Sequence, residues 1–133
     1  MKLSTFLRTV LKLDAASCLA MAAIVIPLSG MLSEPLGIEA TALSAAAATL
    51  IPIGLFVLWL GTRREAPAVL VALVIAGNIA WAVASVAAAG TVPAITSLGR
   101  AAVAGQGLAV LVLAIAEWAG LRSSVAETRW ENA

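Results

Sequence analysis

Hydrophobic positions in this chain form four long runs that contain no charged residue. The uncharged runs cover residues 15–33, 40–62, 66–99 and 101–116. A hydrocarbon core about 30 Å thick requires roughly 20 apolar residues of helix to cross it. The pattern therefore predicts four transmembrane helices. Allowing for their flanks, the predicted spans cover about 13–32, 41–61, 68–89 and 98–120.

The segments between the predicted spans are short, which restricts the topology. Short connections place sequential helices side by side and antiparallel. We therefore predict an all-α, integral membrane fold, an up-down-up-down bundle of four transmembrane helices, with residues 1–133 forming one domain. The connections are too short for an extramembrane domain, so any function must reside in the bundle, on its lipid-facing surface or in the short C-terminal tail.

Composition supports a membrane protein and excludes several functional classes. Hydrophobic residues make up 62% of the chain and charged residues 11%, whereas a soluble domain is about one quarter charged. The net charge of +1 argues against a strongly basic nucleic-acid binder. Membrane lipid is the expected partner, and no nucleic acid is expected.

The chain lacks most of the side chains that enzymes and metal sites use. It has no histidine and a single cysteine, Cys18. Histidine is the most frequent general base and the commonest metal ligand, and one cysteine cannot form an intrachain disulfide. We therefore expect no metal, no cofactor and no catalytic residues, and hence a protein that is not an enzyme.

The N-terminal segment resembles a signal peptide, because basic residues precede an apolar run. The run is long for a signal sequence, Asp14 opens it, and no clear A-x-A site precedes a polar mature sequence. We therefore interpret this segment as a retained first helix.

Basic residues predict the orientation of the bundle. Seven of the eight lie before span 1, between spans 2 and 3, or after span 4, and only Arg100 lies on the other side. Cytoplasmic loops carry an excess of lysine and arginine. Both termini are therefore expected in the cytoplasm. Three tryptophans agree with that assignment, since Trp59, Trp118 and Trp130 fall at or beyond the same interface.

Two amide side chains lie at mid-membrane depth in adjacent predicted helices. Asn78 in span 3 and Gln106 in span 4 are each roughly 20 Å from the cytoplasmic ends of their helices. We expect them to hydrogen-bond to each other, which contributes about 0.6 kcal/mol on average. Helix packing is the favoured interpretation. The alternative is a polar lining for a substrate or a quinone headgroup.

Asn78, Trp81 and Ser85 share one stripe of span 3, since they are spaced i, i+3 and i+7. An indole N–H needs a partner when it is buried. Together with Gln106, this stripe forms either one side of a ligand pocket or the packed seam against span 4. The seam is favoured.

Asp14 and Glu117 are the acids within the spans, and both fall near the predicted cytoplasmic boundary. An ionised acid at the bilayer centre would indicate function by default, but water and basic residues are within reach at an interface. We therefore interpret both as interfacial acids, in an ion pair or, for Asp14, as a charge at a helix N-terminus. The alternative is proton-coupled transport with either acid as the proton carrier.

Small residues repeat at four-residue spacing in span 4. The helix-packing candidates are Gly99, Ala101, Gly105 and Gly107. Such faces let another backbone approach closely, either within the chain or from a second chain. Arg100 beside them is expected to pair with Glu34 or Glu39 and so to clamp the two hairpins together.

Three segments resemble a group of small four-span bacterial inner-membrane proteins. They are Leu13-Asp14-Ala15 entering span 1, Gly77-Asn78-Ile79-Ala80-Trp81 with Ser85 in span 3, and Gly120-Leu121-Arg122 after span 4. The resemblance implies a compact multi-pass protein of the bacterial inner membrane and no particular activity. Small multidrug resistance transporters also have four spans and an acid in the first. Their acid is a mid-membrane glutamate within a characteristic motif that is absent around Asp14.

The sequence therefore favours a protein that acts by association, as a homo-oligomer or as an accessory subunit of a larger membrane complex. The alternative is a small transporter or a binder of an apolar ligand such as a quinone. That alternative would use Asn78, Trp81, Ser85 and Gln106.

Overall fold

The structure, a computed structural model, describes all 133 residues and consists of four α-helices without a β-strand. The helices are α1 (Thr5–Leu36), α2 (Ala40–Thr62), α3 (Ala68–Thr91) and α4 (Ser97–Glu131). Each is long and apolar enough to cross a membrane. The predicted fold class, an all-α bundle of four transmembrane helices, is confirmed.

The outer helices are longer than the apolar pattern predicted. α1 has 32 residues and α4 has 35, and both extend beyond the apolar runs into charged sequence. Hydropathy detects only the part of a helix that lipid surrounds, so it cannot locate ends that continue past the bilayer. Local signals do mark the starts, because the Ser4 hydroxyl accepts from the Leu7 N–H and the Thr96 hydroxyl accepts from the Gly99 N–H.

The bundle consists of two tight hairpins that are joined along one line. α1 packs closely on α2, α3 packs closely on α4, and α1 and α4 connect the two hairpins, whereas α2 and α3 barely touch. We call the end that contains residues 1–4, 63–67 and 132–133 the terminal end, and the opposite end, with residues 37–39 and 92–96, the distal end. The gap between α2 and α3 leaves room inside the bundle.

Backbone contacts lock the two hairpins together at the distal end. Gly37 ends α1 in the left-handed region at φ 67°, where glycine is favoured. The Thr96 hydroxyl donates to the Pro35 carbonyl (2.6 Å), and the Thr96 N–H donates to the Leu36 carbonyl (3.1 Å). The predicted clamp between Arg100 and Glu34 or Glu39 does not form, because backbone groups and Thr96 make this junction instead.

The N-terminal residues fasten the terminal end. The Leu3 N–H donates to the Arg64 carbonyl (2.8 Å), and the Ala66 N–H donates to the Met1 carbonyl (3.1 Å). Lys2 Nζ lies 2.8 Å from Glu131 Oε2, the one salt bridge in the chain. Large apolar side chains such as Met31, Val69 and Val112 are exposed along the helices between the two ends. Their exposure fits a bundle whose surroundings are lipid.

Candidate functional site

A buried polar cluster joins three of the four helices. Asn78 of α3 donates through Nδ2 to Asp14 Oδ2 of α1 and to Glu117 Oε2 of α4, at 3.0 Å in each case. Asp14 and Glu117 are both 0% exposed, and Asn78 is 7% exposed. Asn78 lies ten residues after the start of α3, about 15 Å along a helix of 24 residues. The cluster is therefore close to the middle of that span.

Both acids differ from the interfacial positions that the sequence suggested. Asp14 belongs to the buried stripe of α1, together with Leu7, Leu11, Cys18 and Ala22. Their spacing of three and four residues defines one helix face. The short distance of Asp14 from basic residues in the sequence suggested a position at the membrane interface. The helical periodicity of the same sequence instead indicates that Asp14 is buried in the bundle.

Glu117 follows the same rule on α4. It lies on the buried stripe that also contains Gly107, Ala114, Gly120 and Ser124. Because α1 and α4 run antiparallel, with Leu7 against Gly120 and Ser4 bonded to Ser124, the two stripes bring Asp14 and Glu117 to the same level. α4 also continues well past Glu117 to Glu131, which places the acid deeper in the bundle than the predicted span end implied.

The acidic pair has no basic partner. The only salt bridge, between Lys2 and Glu131, lies at the terminal end. The two bonded carboxyl oxygens are each 3.0 Å from the same nitrogen, so they are at most about 6 Å apart. Two full charges at that separation repel by roughly 3 kcal/mol at an effective dielectric constant of about 20. A proton or another cation at this place would remove that repulsion.

One oxygen of the cluster lacks an N–H donor. Glu117 Oε1 is buried and accepts no hydrogen bond from another side chain or from the backbone, although buried polar atoms are normally satisfied. The Asp14 and Glu117 carboxyls are within hydrogen-bonding distance of each other. The nearest thiol, Cys18 Sγ, lies 3.9 Å from Asp14 Oδ1, which is a weak donor contact. The cluster therefore has unused capacity to accept a hydrogen bond or to face a positive charge.

A second polar group lies nearer the distal end, between α3 and α4. Trp81 Nε1 donates to Gln106 Oε1 (3.0 Å), and Gln106 Nε2 donates to Ser85 Oγ (2.6 Å). Ser85 Oγ in turn donates to the Trp81 carbonyl (2.8 Å). Three of the residues predicted to line a pocket or a seam therefore form one connected network.

The predicted hydrogen bond between Asn78 and Gln106 is wrong. The close approach of Gly107 to Ser85 sets the register of the α3–α4 hairpin, since a Cβ on Gly107 would lie 2.8 Å from the Ser85 Cβ. Gln106 consequently lies opposite Ser85 and Trp81. Asn78 is about two helical turns from Ser85, and the two acids occupy its donor group.

A cavity of about 510 Å³ lies between these two polar groups and the gap separating α2 from α3. Twelve of its seventeen lining residues are hydrophobic. Its polar side chains come from Asn78, Gln106 and Ser17, with Cys18 and the Trp81 indole beside them. Cavities of this size accommodate small organic ligands.

The cavity opens sideways, towards the surface that lipid would cover. Its lining includes the exposed residues Ile53 of α2 and Leu73 of α3, and those two helices barely touch. Gly77 also lines the cavity, and a Cβ added there would meet nothing within 4 Å. The absence of a side chain at Gly77 therefore keeps this entrance wide.

The small residues of α4 serve different purposes. Gly99 packs on the end of α1, and Gly107 packs on α3. Gly105 meets nothing within 4 Å, and Ala101 is exposed. Three glycines outside this set also pack closely: Gly54 and Gly61 of α2 lie against α1, and Gly120 lies against Leu7.

The acidic cluster and the cavity are the chemical features of the bundle. No group of three or more histidine, cysteine or acidic side chains is arranged to hold a metal ion. Asn78 and Cys18 line the cavity and also contact the acids, so they connect the two features. No protein-family model, curated protein or solved structure matches this chain, which is an integral membrane protein of four apolar helices.

Proposed function

We propose that this protein binds an apolar or amphipathic small molecule, which enters sideways from the bilayer between α2 and α3. The observation that carries the proposal is the apolar cavity of about 510 Å³ with Asn78 and Gln106 in its wall. A largely apolar pocket with a few convergent polar groups is typical of a small-molecule site. In this proposal the protein binds its ligand and catalyses no reaction.

The proposed site deepens the ligand-binding alternative from the sequence. Gln106 already has partners in Trp81, Ser85 and the Val103 carbonyl. The Asn78 side-chain oxygen accepts no hydrogen bond from the chain, since both Asn78 bonds use its nitrogen. Asn78 is therefore the polar group best placed to hydrogen-bond a ligand.

Filling the cavity entrance tests the proposal. Gly77→Phe directs a ring into the open space at the entrance. Gly90→Phe is the matched control, because it lies on the same helix, also meets nothing within 4 Å and does not line the cavity. Both variants and the original protein would be extracted gently from membranes, and the small molecules that co-purify would be identified by mass spectrometry.

We expect Gly77→Phe to bind the molecule at least about tenfold more weakly than the original protein, which corresponds to roughly 1.4 kcal/mol of binding free energy. The amount of molecule that co-purifies should fall accordingly. Gly90→Phe should carry the same amount as the original protein. Equal loading of the cavity variant and its control would contradict the proposal.

A second candidate function, association with another copy or with a larger membrane complex, rests on an unused helix face. Ala101, Gly105 and Ala109 of α4 are exposed, and nothing in the chain covers Gly105. Small residues on such a face permit close helix contact in membranes. Gly105→Leu should then abolish an oligomer that native mass spectrometry detects, while Gly90→Leu should preserve it. An oligomer that survives Gly105→Leu would exclude this face.

We also propose that the protein resides in the bacterial inner membrane with the terminal end in the cytoplasm. Seven of eight basic residues support this orientation, because only Arg100 is near the distal end.

A further inference from the structure

We infer that the ligand of the proposed site is an organic cation with apolar substituents, and that it competes with a proton for the Asp14–Glu117 pair. This inference rests on the proposed function, since it specifies what the cavity binds. It starts from the chemistry of the cavity wall and of the cluster behind it.

The acidic pair has no charged partner within the bundle. Asp14 and Glu117 are fully buried, share one donor and have no salt bridge. Helices α2 and α3 contain no titratable residue. The nearest basic residues along the chain do not compensate either: Lys12 is exposed, Arg122 lies over the Trp118 ring, and Arg8 has no hydrogen-bond partner for its buried Nε. No basic side chain of the bundle therefore balances the charge of the pair, and either a proton or a ligand cation can do so.

The cavity wall lies next to the acidic pair. Asn78 contacts both acids and also lines the cavity, and Cys18 lines the cavity 3.9 Å from Asp14. A cation at this wall is separated from the acids only by the side-chain amide of Asn78. Neither acid lines the cavity itself, so the cation and the buried carboxyls interact through space across Asn78.

The lining of the cavity determines which type of cation it can bind. Phe56 and Trp81 line the same cavity, and aromatic faces attract ammonium groups. The remaining lining is mostly hydrophobic, which suits alkyl or aryl substituents and disfavours a hydrated inorganic ion. The wall thus matches a positive centre that carries apolar groups.

Proton exchange follows from the shared carboxyl pair. A bound cation stabilises the pair with both carboxylates ionised, whereas a proton neutralises one of the two carboxylates. When the cation enters, one carboxyl O–H bond breaks, its electron pair stays on the oxygen and the proton passes to water. One positive charge enters and one leaves, so the net charge of the site does not change.

The test uses benzyltriethylammonium and its neutral isostere, in which carbon replaces the nitrogen. The full-length protein in lipid nanodiscs is titrated with each compound between pH 6 and pH 8, and empty nanodiscs serve as the blank. Proton release is followed in weak buffer with a pH indicator. The variants are the double substitution D14N/E117Q, which keeps the side-chain shapes, and Gly77→Phe, which blocks the entrance.

We expect the cation to bind the original protein with release of up to one proton. Its affinity should rise with pH, by up to about tenfold for each pH unit over which the pair holds that proton. The isostere should bind without proton release. D14N/E117Q should weaken the cation at least about tenfold and leave the isostere unchanged, which also demonstrates an intact cavity. If that variant fails to fold, the pH profile of the original protein still decides.

Three results overturn the inference. If cation and isostere bind equally with no pH dependence, the cavity binds apolar molecules but the charge selection is wrong, and the proposed function survives. Cation binding without proton release removes the competition. If neither compound binds the original protein more than it binds Gly77→Phe, the proposed function fails as well.

Discussion

At the scale of single residues, the side chain of Asn78 connects three of the four helices. Its one amide nitrogen satisfies acceptors from two other helices. Removing a shared donor from buried acids leaves both uncompensated, which costs more than the bond itself contributes.

Asn78→Leu should lower the free energy of unfolding by about 3 kcal/mol, because two buried carboxyls lose their donor. The change can be measured by reversible unfolding in mixed micelles. The control is the triple substitution Asp14→Leu, Asn78→Leu and Glu117→Leu, which removes every member of the cluster. We expect it to recover most of the loss, because apolar groups then fill the same space. A triple variant that is less stable than Asn78→Leu would contradict this account.

At the scale of helices, glycine positions decide which faces meet. Gly99 of α4 lies so close to the Leu36 carbonyl that an added Cβ would overlap it, whereas Gly105 on the same helix faces open space. Two identical substitutions on one helix should therefore act in opposite directions.

Gly99→Ala should destabilise the bundle by roughly 2 kcal/mol or more, since the distal junction must shift to admit a methyl group. Gly105→Ala should be neutral or should stabilise by up to about 1 kcal/mol, because alanine is the better helix former. Thermal unfolding of the two variants in the same detergent distinguishes them. Equal destabilisation would show that Gly105 is covered.

The sequence was sufficient to predict the helices and insufficient for their registers. Uncharged runs located all four spans because a bilayer imposes length and apolarity on each one separately. The pairing of Asn78 with two acids depends on how three helices are placed along their axes. Close contacts at Gly107 and Gly120 fix those placements. The sequence around each glycine does not indicate which residue of another helix it will contact. The burial of Asp14 was nevertheless detectable, since its spacing from Leu7, Leu11 and Cys18 places it on the buried face of α1.

At the scale of the whole molecule, the two hairpins are tied at both ends and along α1 and α4, and the fourth side is left open. The proposed orientation determines which end faces the cytoplasm. A matched pair of alanines, Ala94 near the distal end and Ala126 near the terminal end, is exposed and available for labelling.

In a Cys18→Ala background, Ala94→Cys should react with a membrane-impermeant thiol reagent in spheroplasts, because the distal end is expected to face the periplasm. Ala126→Cys should react only after the membrane is permeabilised. Labelling can be read by a mass shift on gels. The reverse pattern would invert the orientation, and labelling of both sites in intact spheroplasts would contradict a single topology.

The three residues of the buried cluster are far apart in the sequence, which affects the order in which they enter the membrane during synthesis. Asn78 lies 64 residues after Asp14, and Glu117 lies another 39 residues further on. A ribosome therefore delivers the first acid to the membrane long before its partners exist. Asp14 is the tenth of the 32 residues of α1, and an acid within a membrane helix is costly while it has no partner. The donor for Asp14 arrives with α3 and its acidic neighbour arrives with α4, so the cluster is complete only when all of the bundle has been synthesised. A chain that terminates before Glu117 therefore contains Asp14 and Asn78 but lacks the third member of the cluster.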